Sequence, residues 1–234
     1  MHNVLHLLTN NVFFGVMITL AAYAAGKMIY KKTGLPIMNP FLIAMLALMA
    51  LILILQIPLE NYMKGAGSLE MMLPVSIILL ALPLYRQRGR LKSHRLAILA
   101  GITAGVATCL ISTIILCKLF GIDEALLLSL LPRSITTPLG LLMVENIGGI
   151  GGITMIAIVF NGVSGVLFYA PVYALFRIHH PVAKGIAMGT TSHAIGTAKA
   201  LEMGELIGAM SGLAIVVAGL ITVAAYPLIN LIFN

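Results

Sequence analysis

The chain has 234 residues, 60% hydrophobic and 9% charged, with mean hydropathy +1.08 and formal net charge +7. Soluble domains carry about 25% charged residues, so this composition excludes a soluble globular protein and describes a polytopic membrane protein. The excess positive charge sits in short loops between apolar runs, where the positive-inside rule accounts for it, and it does not point to nucleic acid.

The N-terminal stretch MHNVLHLLTNNVFF has neither a basic n-region nor a small-residue cleavage site, so it reads as the start of a retained helix. No Arg- and Ser-rich transit segment is present, and the expected location is a bacterial plasma (inner) membrane, crossed several times. Apolar runs predict six spans at about 9–30, 37–57, 69–85, 94–118, 152–176 and 206–232. There is no Trp, so seven Tyr must supply any interfacial aromatic belt. Lys27, Lys31 and Lys32 follow the first span. Arg86, Arg88, Arg90, Lys92 and Arg95 follow the third, and both groups are expected on the cytoplasmic side. Between them, PLENYMKGAGSLE reads as an outside loop, which puts the N-terminus outside too. Cys109 and Cys117 lie too far apart along one helix for a disulfide and read as filler.

Beyond the fourth span, charge counting constrains the path. If 123–147 enters the membrane and returns, the basic group Arg177, His179, His180 and Lys184 lies inside. By the same logic 182–204 is a second hairpin, entering from the opposite side. The competing topology has each segment crossing once as a broken helix. The expected fold is all-α: about six spanning helices plus two opposed re-entrant hairpins or broken helices, inverted-repeat and transporter-like.

Each of these segments carries a polar run. In LPRSITTP, Pro132 ends one half-helix and Thr137 can cap a second, with Pro138 in its first turn. In GTTSHAIGTAKALE, Gly189 permits the bend, and Thr190, Thr191 and Ser192 offer caps for a half-helix starting near His193. Helix N-termini carry partial positive charge and free N–H donors, which suit an anionic group. The candidate substrate-binding residues are therefore Arg133, Ser134, Thr136, Thr137, Thr190, Thr191, Ser192, His193 and Lys199. The hydroxyls have a plainer reading as bonds to the preceding turn. His193 is either a substrate donor, a carrier of a coupling proton, or a structural group bonded across helices. Glu202 either joins His193 in ion coupling, pairs with Lys199 three residues before it, or marks the aqueous end of the segment. GVSG at 162–165 is superficially like the serine motif of rhomboid proteases, but no His is placed to activate Ser164, and no enzyme is expected. No cluster has metal-ligand spacing and no Gly-rich phosphate loop occurs, so neither a metal nor a cofactor is expected.

LPRSITTP (Leu131 to Pro138), IGGI (Ile147 to Ile150), KGIAMGTTSHAIGTAKALEMGE (Lys184 to Glu205), GAMSGLA (Gly208 to Ala214) and GLPIMNP (ending at Pro40) together resemble the LrgB/CidB family, often described as antiholin-like. The resemblance covers nearly the whole chain. It departs at Lys184 and Lys199, where Arg is expected, and at Arg133, where Lys is common; Lys lacks the bidentate fork of Arg. For bacterial members the resemblance implies control of autolysis alongside a small LrgA/CidA-type membrane partner. For others it implies carriage of small carboxylates, such as glycolate and glycerate in a plant plastid member or pyruvate in bacteria. The polar tips favour the second: a carrier of small monocarboxylates, ion- or proton-coupled. The alternative is an antiholin-like component regulating murein hydrolase activity and autolysis. Residues 1–118 are expected to form a scaffold, holding a homo-oligomer or the small partner, and 119–234 the transport core.

Overall fold

A computed structural model describes residues 9–34, 38–72 and 95–233, with single positions at 75, 85 and 89. Among the described residues the regular structure is helical throughout, in two compact units, Met1–Leu79 and Leu80–Asn234.

In the first unit α1 spans Val12–Thr33, α2 Pro40–Ile54 and α3 Leu59–Glu70. Asn11 opens α1 by accepting the Phe14 N–H at 2.8 Å. Gly34 closes it with φ 65°, returning its N–H to the Tyr30 carbonyl, while Lys31 and Lys32 offset the negative helix end. Asn39 caps α2 through the Phe41 N–H at 2.8 Å. The expected span 37–57 is a shorter helix: 15 residues reach about 22 Å, less than a hydrocarbon core of about 30 Å. Gln56, at φ 50°, and Pro58 end it. PLENYMKGAGSLE, read from sequence as a loop, is instead α3. It packs on α1 where two glycines meet: a Cβ on Gly65 would stand 2.6 Å from the Gly15 Cα. Asn61 also donates to the Thr9 hydroxyl at 3.0 Å. Gly65→Val is therefore expected to destabilise this unit by about 1–3 kcal/mol. An unchanged denaturation midpoint would mean that α1 and α3 do not touch here.

The second unit contains α4 (Arg95–Leu119), α5 (Glu124–Leu130), a 3-10 turn (Leu131–Ser134), α6 (Thr137–Ile147), α7 (Gly151–Leu175), α8 (Pro181–Met203) and α9 (Glu205–Phe233). Its core is a stripe of Ile98, Ile102, Val106 and Leu110 on α4, clustered with Leu127, Leu131, Met210 and Ala214. Among the described residues four helices are long and apolar enough to cross a membrane: Val12–Thr33, Arg95–Leu119, Gly151–Leu175 and Glu205–Pro227. They correspond to four of the six expected spans. The expected span 69–85 and most of the basic cluster that follows it lie outside the described residues. Cys109 and Cys117 are free thiols. The division at 118/119 would leave α4 with the scaffold, whereas the second unit begins at Leu80 and includes α4.

Two segments of this unit double back. Along α8, His193 has φ 38° and ψ −129°. A Cβ on Gly196 would stand 2.7 Å from the Met188 carbonyl oxygen, whereas eight residues of continuous helix would separate them by about 12 Å. The first half of α8 runs parallel to α9, with Gly185 beside Met210 and Gly189 beside Ala214. The second half runs antiparallel, with Thr197 Oγ1 2.6 Å from Ser211 Oγ and Leu201 beside Gly208. The bend is thus at His193 and not, as the sequence suggests, at Gly189. Gly189 is used for close approach: a Cβ there would stand 2.8 Å from the Ala214 Cβ.

The segment from α5 to α6 reverses as well. Ser129 Oγ accepts the Ile150 N–H at 2.6 Å, and the Ser129 carbonyl accepts the Thr154 hydroxyl at 2.8 Å. Gly149, just past α6, also lies against Ser129: a Cβ on it would stand 3.0 Å from the Ser129 nitrogen. The C-terminal part of α5 and the residues just past α6 therefore lie together at the start of α7. The bend lies further along α7, where Gly140 packs against Pro132 and Ile158.

Candidate functional site

The two bends meet at Asn161, midway along α7. Its Nδ2 donates to the Arg133 carbonyl at 3.2 Å and to the Thr191 carbonyl. Its Oδ1 accepts Arg133 Nη1 at 3.2 Å. Arg133 Nε reaches α4, donating to Thr113 Oγ1 at 3.1 Å. One amide thus holds both bends, and one guanidinium bridges α4 and α7. The bonded side chains of Arg133 are neutral, so among the described residues its charge has no acidic partner.

Ser134 and Thr190, one from each bend, are buried, and among the described residues their hydroxyls have no hydrogen-bond partner. Such groups are costly in an apolar interior. Thr190 packs towards α4, where a Cβ on Gly105 would stand 2.8 Å from its methyl carbon. Thr191 Oγ1 donates back to the Ala187 carbonyl at 2.7 Å, the plainer reading of a helical hydroxyl. Ser192 is buried against Gly165 of α7, its Oγ 3.1 Å from Thr191 Oγ1. Thr136, rather than Thr137, occupies the cap position of α6, and its side chain makes no capping bond. Pro138 leads the chain into α6, and the early N–H groups have no side-chain acceptor from the cap.

His193 Nε2 lies 3.0 Å from the Ile158 carbonyl. A carbonyl only accepts, so Nε2 carries the proton and the ring is bonded across to α7. Its positive φ costs a non-glycine residue about 1–3 kcal/mol. His193→Gly and His193→Ala both lose the Ile158 bond, but only glycine relieves the backbone. The glycine variant is expected to be the more stable by about 1 kcal/mol or more in denaturation. The reverse order would mean that this backbone is unstrained.

Lys199 is not brought to the bends. It lies on the returning half of α8 and pairs with Glu202 at 2.9 Å, Glu202 being well exposed. This is the i,i+3 pair that the spacing allows. Lys199 Nζ also lies 6.0 Å from the Tyr169 ring, and Lys184 Nζ lies 5.8 Å from the Tyr173 ring. Tyr169 and Tyr173 wall a cavity of about 290 Å³ between α7 and the first half of α8, with Ser164, Thr191 and Asn161 also lining it. Among the described residues no group of three His, Cys, Asp or Glu could hold a metal ion.

Sequence reading missed Asn161, Thr113 and the tyrosine pair. A signal for Asn161 was present: it is an isolated amide within the apolar run 152–176, and polar side chains in membrane helices commonly bond across helices.

Residues 19–232 match the family model of the LrgB-like family. "Antiholin-like protein LrgB" of Bacillus cereus strain B4264 is 35% identical over 221 residues, covering 94% of this chain and 96% of the relative. The protein of the same name from Bacillus anthracis strain A0248 matches with the same identity and coverage. No solved structure matches the chain.

Proposed function

The chain belongs to the LrgB-like family, and from that premise we propose that it is an antiholin-like component of a bacterial inner membrane, acting on murein hydrolase activity and autolysis. The name carried by its Bacillus relatives supports this reading above the carrier reading that the sequence favours. The expected partner is a small LrgA/CidA-type membrane protein. Deleting this chain, with and without that partner, is expected to change the lysis rate and the murein hydrolase activity of cell extracts. Unchanged values in both backgrounds would count against it.

A second reading, a carrier of small monocarboxylates, is favoured by one observation: among the described residues Arg133, at the meeting point of two doubled-back segments, is bonded through neutral side chains only. A cation at membrane depth without an acidic partner favours an anionic ligand. Here 124–147 and 181–203 are re-entrant hairpins entering from opposite faces, in an inverted-repeat arrangement. Ser134, next to Arg133 in the chain, and Thr190 in the other bend supply donors, and coupling through His193 or Glu202 is part of the same proposal. The transport core then lies in the second unit, and the N-terminal helices serve as scaffold and oligomer contact. With Cys109 and Cys117 replaced by alanine, single cysteines at 123 and 148 are expected to react with an impermeant reagent from outside. Cysteines at 180 and 204 should be protected. Protection at 148 combined with reaction at 180 would mean fully crossing broken helices.

A further inference from the structure

We propose that the cavity between α7 and α8 admits a small carboxylate that displaces the Asn161 amide from Arg133. The proposal rests on the carrier reading and adds to it where the anion docks and what it replaces. The cavity, about 290 Å³, is at the small end of ligand pockets. Asn161 lines it, and the same side chain holds Arg133 Nη1. An amide oxygen on a guanidinium is a neutral acceptor; a carboxylate oxygen there makes a charge-assisted bond about twice as strong. A carboxylate reaching the Asn161 end of the cavity therefore takes Nη1 and releases the amide.

That release has a structural consequence. Asn161 Nδ2 ties the Arg133 carbonyl to the Thr191 carbonyl, and so ties one bend to the other. Occupancy of the cavity loosens this tie, coupling binding to the relative freedom of the two doubled-back segments. Asn161 is thus a positioning residue: it holds Arg133 in the empty state and yields it to the ligand. The remaining walls fit the same ligand. Tyr169 and Tyr173 stand edge to face with ring centroids 5.7 Å apart, presenting apolar surface to an uncharged body. Lys184, against the Tyr173 ring, places positive charge beside the cavity and draws anions towards it, whereas Lys199 at the Tyr169 ring is paired with Glu202.

The test is binding of pyruvate, and of chloride as a non-carboxylate anion, to the purified full-length protein by titration calorimetry, with a denaturation midpoint recorded for each variant. Asn161→Asp tethers a carboxylate on Arg133 and is expected to weaken pyruvate binding by at least about tenfold, with a lower midpoint because its second oxygen faces the Arg133 and Thr191 carbonyls that Nδ2 had bonded. Asn161→Ala removes the competitor, and is expected to bind pyruvate as tightly as the wild type or more tightly. A purely structural role for Asn161 would make both variants weaker together. Wild-type affinity in the aspartate variant, or a tenfold loss in the alanine variant, would overturn the displacement mechanism while leaving the carrier reading standing. If the aspartate variant does not fold, the alanine variant decides alone. Chloride binding as tight as pyruvate would overturn the carboxylate assignment. A wild type that binds neither anion would overturn the carrier reading and the mechanism with it.

Discussion

Gly189→Leu is expected to lower the denaturation midpoint and the yield of folded protein, while the same change at Gly152 is tolerated. A Cβ at Gly189 meets the Ser211 carbonyl and stands 2.8 Å from the Ala214 Cβ. The first obstacle is backbone and cannot rotate away, so α8 and α9 must separate along their parallel stretch. Overpacking of a core costs about 1–3 kcal/mol and occasionally more, a large share of a total stability of about 5–15 kcal/mol. A Cβ at Gly152 meets nothing within 4 Å, so this control carries the same added surface without the clash. The measurement is the yield of monodisperse protein on size exclusion, with a denaturation midpoint where protein survives. Equal yield from both variants would mean that α8 and α9 are not in backbone contact at Gly189.

Arg133→Met is expected to abolish saturable uptake of labelled pyruvate, glycolate and glycerate into proteoliposomes. It removes the charge that would hold the anion, and it strips two acceptors, Thr113 Oγ1 and Asn161 Oδ1, of their donor. Losing a donor to a partly buried acceptor costs about 1–3 kcal/mol, so stability should fall as well. Arg133→Lys keeps the charge but loses the planar fork that reaches α4 and α7 together, and is expected to retain weakened uptake. Comparing these variants in the lysis assay separates the two functional readings. If Arg133→Met has lost uptake but still restores normal lysis, control of autolysis does not run through anion transport. If both are lost while the protein remains folded, the two activities share this site. Wild-type uptake kinetics in Arg133→Met would remove the main support for a carrier.

The long helices were legible because they are a local property. A run of about 20 apolar residues identifies a membrane helix whatever it packs against. The sequence therefore placed α1, α4, α7 and α9, marked LPRSITTP and GTTSHAIGTAKALE as the polar interruptions, and carried the motifs of the family. It also brought out Arg133, since a charge inside an apolar segment is conspicuous without a structure. The Lys199–Glu202 pair is the one of three sequence alternatives for Glu202 that helical spacing allows and the structure contains.

Other features depended on which surfaces meet. The sequence put the bend at Gly189 because glycine turns easily, but Gly185 and Gly189 are needed where α8 lies against α9. The turn moves to His193, whose strained backbone is held by the bond to Ile158 and by packing against Gly162. PLENYMKGAGSLE is a helix because Gly65 finds Gly15, 50 residues earlier in the chain. Asn161 is one amide in a long apolar run until the fold sets Arg133 on one side of it and Thr191 on the other. Hydrophobicity and helix signals are written residue by residue, so the sequence alone determined four long membrane helices and the two segments that carry a polar interruption. The joining of the two interruptions depends on residues far apart in the chain competing for the same bonds and the same space, and only the tertiary structure decided it.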